Sequence, residues 1–240
     1  MSDPILKISG LQTDIAQYHI LHGVDLEVPR GQVTMLLGRN GAGKTTTLRS
    51  IMGLWRPRAG SIRFDGAEIA GLAPPQIAQR GIGFVPEDMG IFADLTVEEN
   101  LILAAISGPI RRDRLEWVFA AFPALSTFWK MPAGNLSGGQ KQMLAIARAV
   151  IERRGLYLID EPSKGLAPAI VATMARALKD LKADGASILM VEQNFSLARA
   201  LGDQAAVMDD GRIVWAGVMA ELASDAGLKE RLMGLKMELA

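Results

Sequence analysis

The sequence predicts an α/β fold built on a mainly parallel sheet, flanked by an antiparallel β region and interrupted by an inserted helical lobe. Two observations carry this prediction. Short apolar, β-branched runs recur along the chain with helically spaced stretches between them, the alternation that parallel sheets require. A glycine-rich run also sits directly between one such strand and the helix that follows it.

The core strands are read at Val33-Thr34-Met35-Leu36-Leu37, Ile82-Gly83-Phe84-Val85, Leu156-Tyr157-Leu158-Ile159 and Ile188-Leu189-Met190-Val191. Each is continuously apolar, as a strand covered on both faces should be. Helical spacing is read over residues 44–52, 138–150 and 168–183. Upstream, the strand-like pieces at residues 24–28 and 61–64, with turns such as Pro29-Arg30-Gly31, predict the antiparallel sheet. Residues 86–136 lack a buried strand and carry helical patterns at 97–106 and 112–121. This is the inserted lobe. Its aromatics Phe92, Trp117, Phe119, Phe122, Phe128 and Trp129 are expected to form its own small core, a docking surface being the alternative. Asp209-Asp210-Gly211 reads as a hairpin turn, and residues 226–239 as a packing helix.

Composition narrows the functional classes. The chain has 240 residues, 49% of them hydrophobic, which is enough apolar surface to offset the ordering entropy of one substantial domain. Its 26 basic and 26 acidic side chains cancel, so nucleic acid is not an expected partner. With no cysteine, disulfides and thiolate metal sites are excluded. Residues 1–10 do not resemble a signal peptide, and the longest apolar runs, such as residues 101–106, are too short to span a bilayer. A membrane role is therefore expected to run through a partner.

Three motifs point to phosphate chemistry. Gly38-Arg39-Asn40-Gly41-Ala42-Gly43-Lys44-Thr45 fits the phosphate-loop pattern: glycines turn backbone N–H groups inward, Lys44 reaches the β- and γ-phosphates, and the Thr45 hydroxyl serves Mg²⁺. Asp160-Glu161 ends a buried strand, where Asp160 suits Mg²⁺ and Glu161 suits activation of a water. Leu136-Ser137-Gly138-Gly139-Gln140 precedes a long helix and forms a second anion site at its N-terminus. A self-contained kinase needs one phosphate device; a second one implies a nucleotide held by another subunit.

With these motifs, in this order, the chain resembles the ABC ATPases over essentially its whole length. The resemblance implies a P-loop NTPase (RecA-like) core at residues 1–86 and 141–240, a helical subdomain at 87–140, and ATP as ligand of Arg39 to Thr46. It also implies head-to-tail pairing, with Ser137 to Gln140 clasping the partner's nucleotide and Ser163-Lys164-Gly165-Leu166-Ala167 lying across the interface. The phrases Leu21-His22-Gly23-Val24, Phe84-Val85-Pro86-Glu87, Leu95-Thr96-Val97-Glu98-Glu99-Asn100-Leu101 and Val191-Glu192-Gln193-Asn194 are similar to the shorter of the two paired ATPases of branched-chain amino acid importers. That subfamily implies transmembrane permease subunits, a second and different ABC ATPase, an indirectly linked solute-binding protein, and residence on the cytoplasmic face of the cell membrane; importers of urea, amides or aromatic acids share the pattern and are the alternative, with a soluble ABC ATPase not tied to transport behind them.

The chain departs from the wider family at two positions. Glu87 stands where most members have a glutamine that couples Mg²⁺ and water to the lobe. Gln193 stands where most have a histidine that contacts the γ-phosphate; His19 and His22, the only histidines, both precede the phosphate loop. The site is therefore expected to hydrolyse slowly without a companion ATPase. For the adenine ring, Tyr18 is the expected stacking residue, with weaker apolar contact near Ile15 as the alternative.

Overall fold

The computed structural model describes residues 3–233. Strands β1 (Leu6–Ile15) and β2 (Tyr18–Val28) form an antiparallel ribbon, and β3 (Val33–Leu37) leads through the glycine-rich loop into α1 (Lys44–Ile51). β4 (Ala59–Phe64) and β5 (Ala67–Glu68) return to the ribbon, followed by α2 (Pro74–Gln79) and β6 (Ile82–Val85). Helices α3 (Val97–Ala104), α4 (Arg112–Ala121), α5 (Pro123–Thr127) and α6 (Gly138–Val150) come next. The chain then alternates: β7 (Leu156–Asp160), α7 (Pro168–Ala183), β8 (Ser187–Val191), α8 (Phe195–Leu201), β9 (Gln204–Asp209), β10 (Arg212–Val218), α9 (Met219–Ser224) and α10 (Ala226–Met233).

These strands make two sheets. The larger has the order β10-β9-β3-β8-β7-β6 and is parallel from β9 to β6, with β10 added antiparallel at its edge. The smaller, β2-β1-β4-β5, is antiparallel. It packs on one face of the larger sheet, because successive strand residues point to opposite faces. Leu36, Leu158 and Leu189 join Ile8, Leu21 and Val24 of the ribbon and Leu48 of α1 in one apolar cluster. Their neighbours Met35, Tyr157 and Ile188 face the other way, into a cluster with α6, α7 and α8.

The expected core strands and helices are thus all present, and three details differ. β1 escaped sequence reading because its alternation is broken at Gly10, where φ is 58° and the pairing register shifts. The 97–106 helical pattern stops at Ala104, since Ala105 has φ −85° and ψ 80° and leaves the helix. The helix expected at 226–239 is seen as α10 up to Met233, the remainder lying outside the described residues.

The helices between β6 and β7 enclose most of their aromatics. Phe122 is fully buried, and Trp117, Phe119, Phe128 and Trp129 pack against the same cluster, Phe119 meeting Trp129 edge-on at 5.2 Å. Phe92 is different: it is 48% exposed, with the Arg148 guanidinium 4.9 Å above its ring. Buried Asn100 shapes the loop in front of α3, accepting from the Phe92 N–H at 2.9 Å and donating to the carbonyls of Phe92, Leu95 and Thr96.

Candidate functional site

The loop between β3 and α1 is shaped by close approach and by backbone sign. A Cβ added to Gly38 would lie 2.1 Å from the Met208 carbonyl oxygen, so no side chain fits where the loop crosses β9. Gly43, at φ 105°, is the left-handed N-cap of α1, a conformation that glycine adopts without steric cost. Lys44 folds back over this loop, its Nζ donating to the Gly38 carbonyl at 2.8 Å and the Arg39 carbonyl at 3.0 Å. Burial lowers the Lys44 pKa, while Glu161, Asp160 and Glu87 oppose that shift. The sequence-predicted hairpin turn does more than reverse the chain: the Gly211 N–H donates to the Ala42 carbonyl at 3.0 Å, and the Gly211 carbonyl accepts from the His22 N–H at 2.9 Å.

Asp160 and Glu161 both come from the C-terminal end of β7. Asp160 closes β7 with 1% exposure and accepts from Thr45 Oγ1 at 3.2 Å. Burial pushes its carboxyl up to about 6, Thr45 pulling against this and the charges of Glu87 and Glu161 adding to it. Glu161 follows with φ 45°, a left-handed conformation unusual for a non-glycine residue, and its N–H donates to the Val191 carbonyl of β8 at 2.9 Å. Its side chain meets two partners. Gln193 Nε2 donates to Glu161 Oε1 at 2.6 Å, and Lys164 Nζ stands 3.7 Å from Oε2. Lys164 also pairs with Glu87 Oε1 at 2.6 Å, and that hydrogen bond is the main cause of its raised pKa.

A cleft of about 390 Å³ brings these groups together. Asn40, Gly41, Gly43, Lys44, Thr45 and Thr46 line it with Glu87, Glu161, Lys164 and Gln193, and Ile15 and Ile20 form its apolar edge. Of the other expected phosphate-loop residues, Ala42 is buried behind the loop and Arg39 is exposed outside the lining. Tyr18 opens β2 at the ribbon tip opposite Ile15, 64% exposed, and is not among the residues lining the cleft, whose apolar contacts are Ile15 and Ile20. A larger cavity of about 600 Å³ lies elsewhere, against Lys7, Asp25 and Gln204, and includes none of the phosphate-loop residues.

Ser137 to Gln140 are not among the residues lining this cleft. Ser137 is the N-cap of α6, its Oγ accepting from the Gln140 N–H at 3.3 Å while Gln140 Oε1 accepts from the Ser137 N–H at 2.8 Å. Ser137 and Gly138 are exposed, so the helix end is open to an outside ligand.

The donor set fits a small divalent cation that arrives with phosphate. Among the described residues no group of three or more His, Cys, Asp or Glu side chains could hold a metal. Thr45 Oγ1 and Asp160 Oδ1 nevertheless supply adjacent hard oxygens, the modest protein contribution that Mg²⁺ takes when phosphate and water complete its shell.

The family model described as ABC transporter matches residues 21–164. The chain belongs to the ABC transporter family. This ABC ATPase is 36% identical over 232 residues to the high-affinity branched-chain amino acid transport ATP-binding protein BraG of Pseudomonas aeruginosa, covering 96% of this chain and 100% of that one. It is 35% identical to the probable branched-chain amino acid transport ATP-binding protein LivF of Archaeoglobus fulgidus, covering 96% and 99%. Among solved structures, a nucleotide-free ATP-binding cassette from an ABC transporter superposes with a TM-score of 0.82 at 26% identity, covering 97% of this chain and 100% of that one.

Three features of the ABC site escaped sequence reading: the apolar edge at Ile20, the ion pairs of Lys164, and the buried carboxyl of Glu192. The Ile20 edge, the Lys164–Glu87 pair and the Glu192–Ser163 bond have no local signal, since each brings together segments far apart in the chain.

Proposed function

We propose that this ABC ATPase is one nucleotide-binding subunit of a membrane importer whose cargo is branched-chain amino acids. The observation that carries this reading is the separation, within one chain, of the Lys44 cleft from the exposed α6 N-terminus at Ser137. A second subunit would bring its own Ser137 end to this chain's triphosphate. Full-length similarity to BraG and LivF supports the cargo class and a paired, different ATPase. No helix among the described residues is long and apolar enough to cross a membrane, so permease subunits would carry the solute, with a solute-binding protein delivering it. The chain would then sit on the cytoplasmic membrane face.

In this mechanism Lys44 and the loop amides bind the β- and γ-phosphates, and Ile15 and Ile20 contact the base. Thr45 and Asp160 would hold Mg²⁺, with Glu87 as an additional oxygen donor; the cation neutralises phosphate charge. Glu161 accepts the proton of the attacking water, oriented by Gln193. On the opposing subunit's nucleotide, Ser137 donates its hydroxyl and Gly138 and Gly139 their amides. Loss of the γ-phosphate removes the link across the interface, and reopening resets the permease.

The test is Glu161→Gln in cells and in the purified chain. ATP binding should persist while phosphate release falls by about 10²- to 10⁴-fold. Uptake of labelled leucine should fail and uptake of urea should not. Unimpaired hydrolysis would refute the assignment of Glu161, and loss of urea uptake alone would redirect the cargo.

A further inference from the structure

Glu192 is a buried acid that the mechanism above leaves unused. It follows β8 directly with 2% exposure. Every nearby donor it meets is a backbone amide. Oε1 accepts from the Ser163 N–H at 3.1 Å, and Oε2 accepts from the N–H groups of Gln193 and Asn194, each at 2.9 Å.

These bonds join two loops. Asp160 and Val191 are register partners on adjacent strands, so Glu161 and Glu192 leave the sheet side by side. One oxygen of Glu192 holds the loop that follows Glu161, and the other holds the loop that presents Gln193. Asn194 secures the far side, its Oδ1 accepting from the Leu197 N–H at 3.1 Å as the N-cap of α8. Gln193 is itself exposed, so burial does not fix its rotamer. Its 2.6 Å contact with Glu161 therefore depends on where its backbone is pinned. Glu161, Ser163, Glu192 and Gln193 also line one cleft of about 370 Å³ beside the phosphate loop.

We infer that Glu192 is a positioning residue for hydrolysis, clamping the Ser163 and Gln193 backbones so that the Gln193 amide meets Glu161. The inference rests on the ATPase reading of the site. A clamp of this kind acts on the chemical step and leaves nucleotide affinity alone, because none of its bonds reaches the phosphate loop.

The full-length chain tests it. In Glu192→Gln the shape is kept, but one acceptor oxygen becomes an NH₂ group facing an N–H donor. Single-turnover phosphate release at saturating ATP should slow by about tenfold or more, with ATP affinity changed by less than about twofold. Adding Gln193→Ala to Glu192→Gln should then slow release by a smaller factor than Gln193→Ala does alone. Glu192→Asp, which keeps both acceptors but shortens the reach, should give the same split and serves if the glutamine variant does not fold. A normal rate, a parallel loss of affinity and rate, or independent effects of the two substitutions would overturn the clamp. Wild-type chain that binds ATP yet releases no phosphate even when paired with its companion ATPase would overturn the ATPase reading and this inference together.

Discussion

The side-chain amide of Gln193 and the carboxylate of Glu161 meet at 2.6 Å, joining the ends of β8 and β7 directly over the phosphate loop. A glutamine donates here but cannot acquire the positive charge available to an imidazole. Gln193→His should therefore raise phosphate release by the isolated chain, by about tenfold if the charge reaches the γ-phosphate. Gln193→Ala should lower it. Turnover measured with and without a companion ATPase checks both; brisk activity of the unmodified chain alone would remove the idea of a slow site.

Lys164 bridges Glu87 and Glu161, so the acid at position 87 is balanced by a cation from the loop after β7. Glu87→Gln alone releases Lys164 onto Glu161, where it competes for the oxygen that must take a proton, and turnover should fall. Glu87→Gln combined with Lys164→Asn should recover part of that loss. Both side chains are substantially exposed, so the coupling should shrink as salt rises. A double-mutant cycle at low and high salt reads the effect.

Gly211 braces the phosphate loop through Ala42, and a Cβ there would come within 2.2 Å of the Ile20 carbonyl oxygen. Its φ of 69° adds backbone strain to any substitution. Gly211→Ala should weaken ATP binding and lower stability together, by about 1–3 kcal/mol in unfolding free energy. Nucleotide titration and urea unfolding of the same variant measure the two effects.

Asp160 carries a pH signature. Its carboxyl is raised from 3.8 to about 6 in the folded chain, so its favourable protonated state is present at low pH and lost as pH rises through about 6. Asp160→Asn, which avoids the buried charge, should be more stable than the natural chain by about 2–3 kcal/mol near neutral pH when metal and nucleotide are absent. The gap should widen from about pH 4 to about pH 6 and level off by about pH 7. Unfolding curves in chelator across that range check the sign.

Much of the site was legible because its chemistry is contiguous. Gly38 to Thr45, Asp160-Glu161 and Ser137 to Gln140 each combine side-chain type with a strand end or helix start, and local patterning predicts both. The Glu192–Ser163, Lys164–Glu87 and Gly211–Ala42 contacts were not legible, since each joins loops more than twenty residues apart in the chain. The offset from Leu21 points to Ile15, which lines the cleft, whereas Tyr18, the aromatic three residues on, is not among the lining residues.

By itself the sequence determined the alternating α/β order, the phosphate-binding turn and the acids at the strand ends, because these follow from short-range periodicity and residue chemistry; the two departures at Glu87 and Gln193 came from its resemblance to the ABC ATPases. Only the tertiary structure decided that Ile15 and Ile20 edge the cleft, that Gly211 braces its loop, that Glu192 ties two loops together, and that Ser137 stands apart from Lys44. Those relationships depend on which strands become neighbours in the sheet, and strand neighbourhood is set by packing across the whole chain rather than by any one segment.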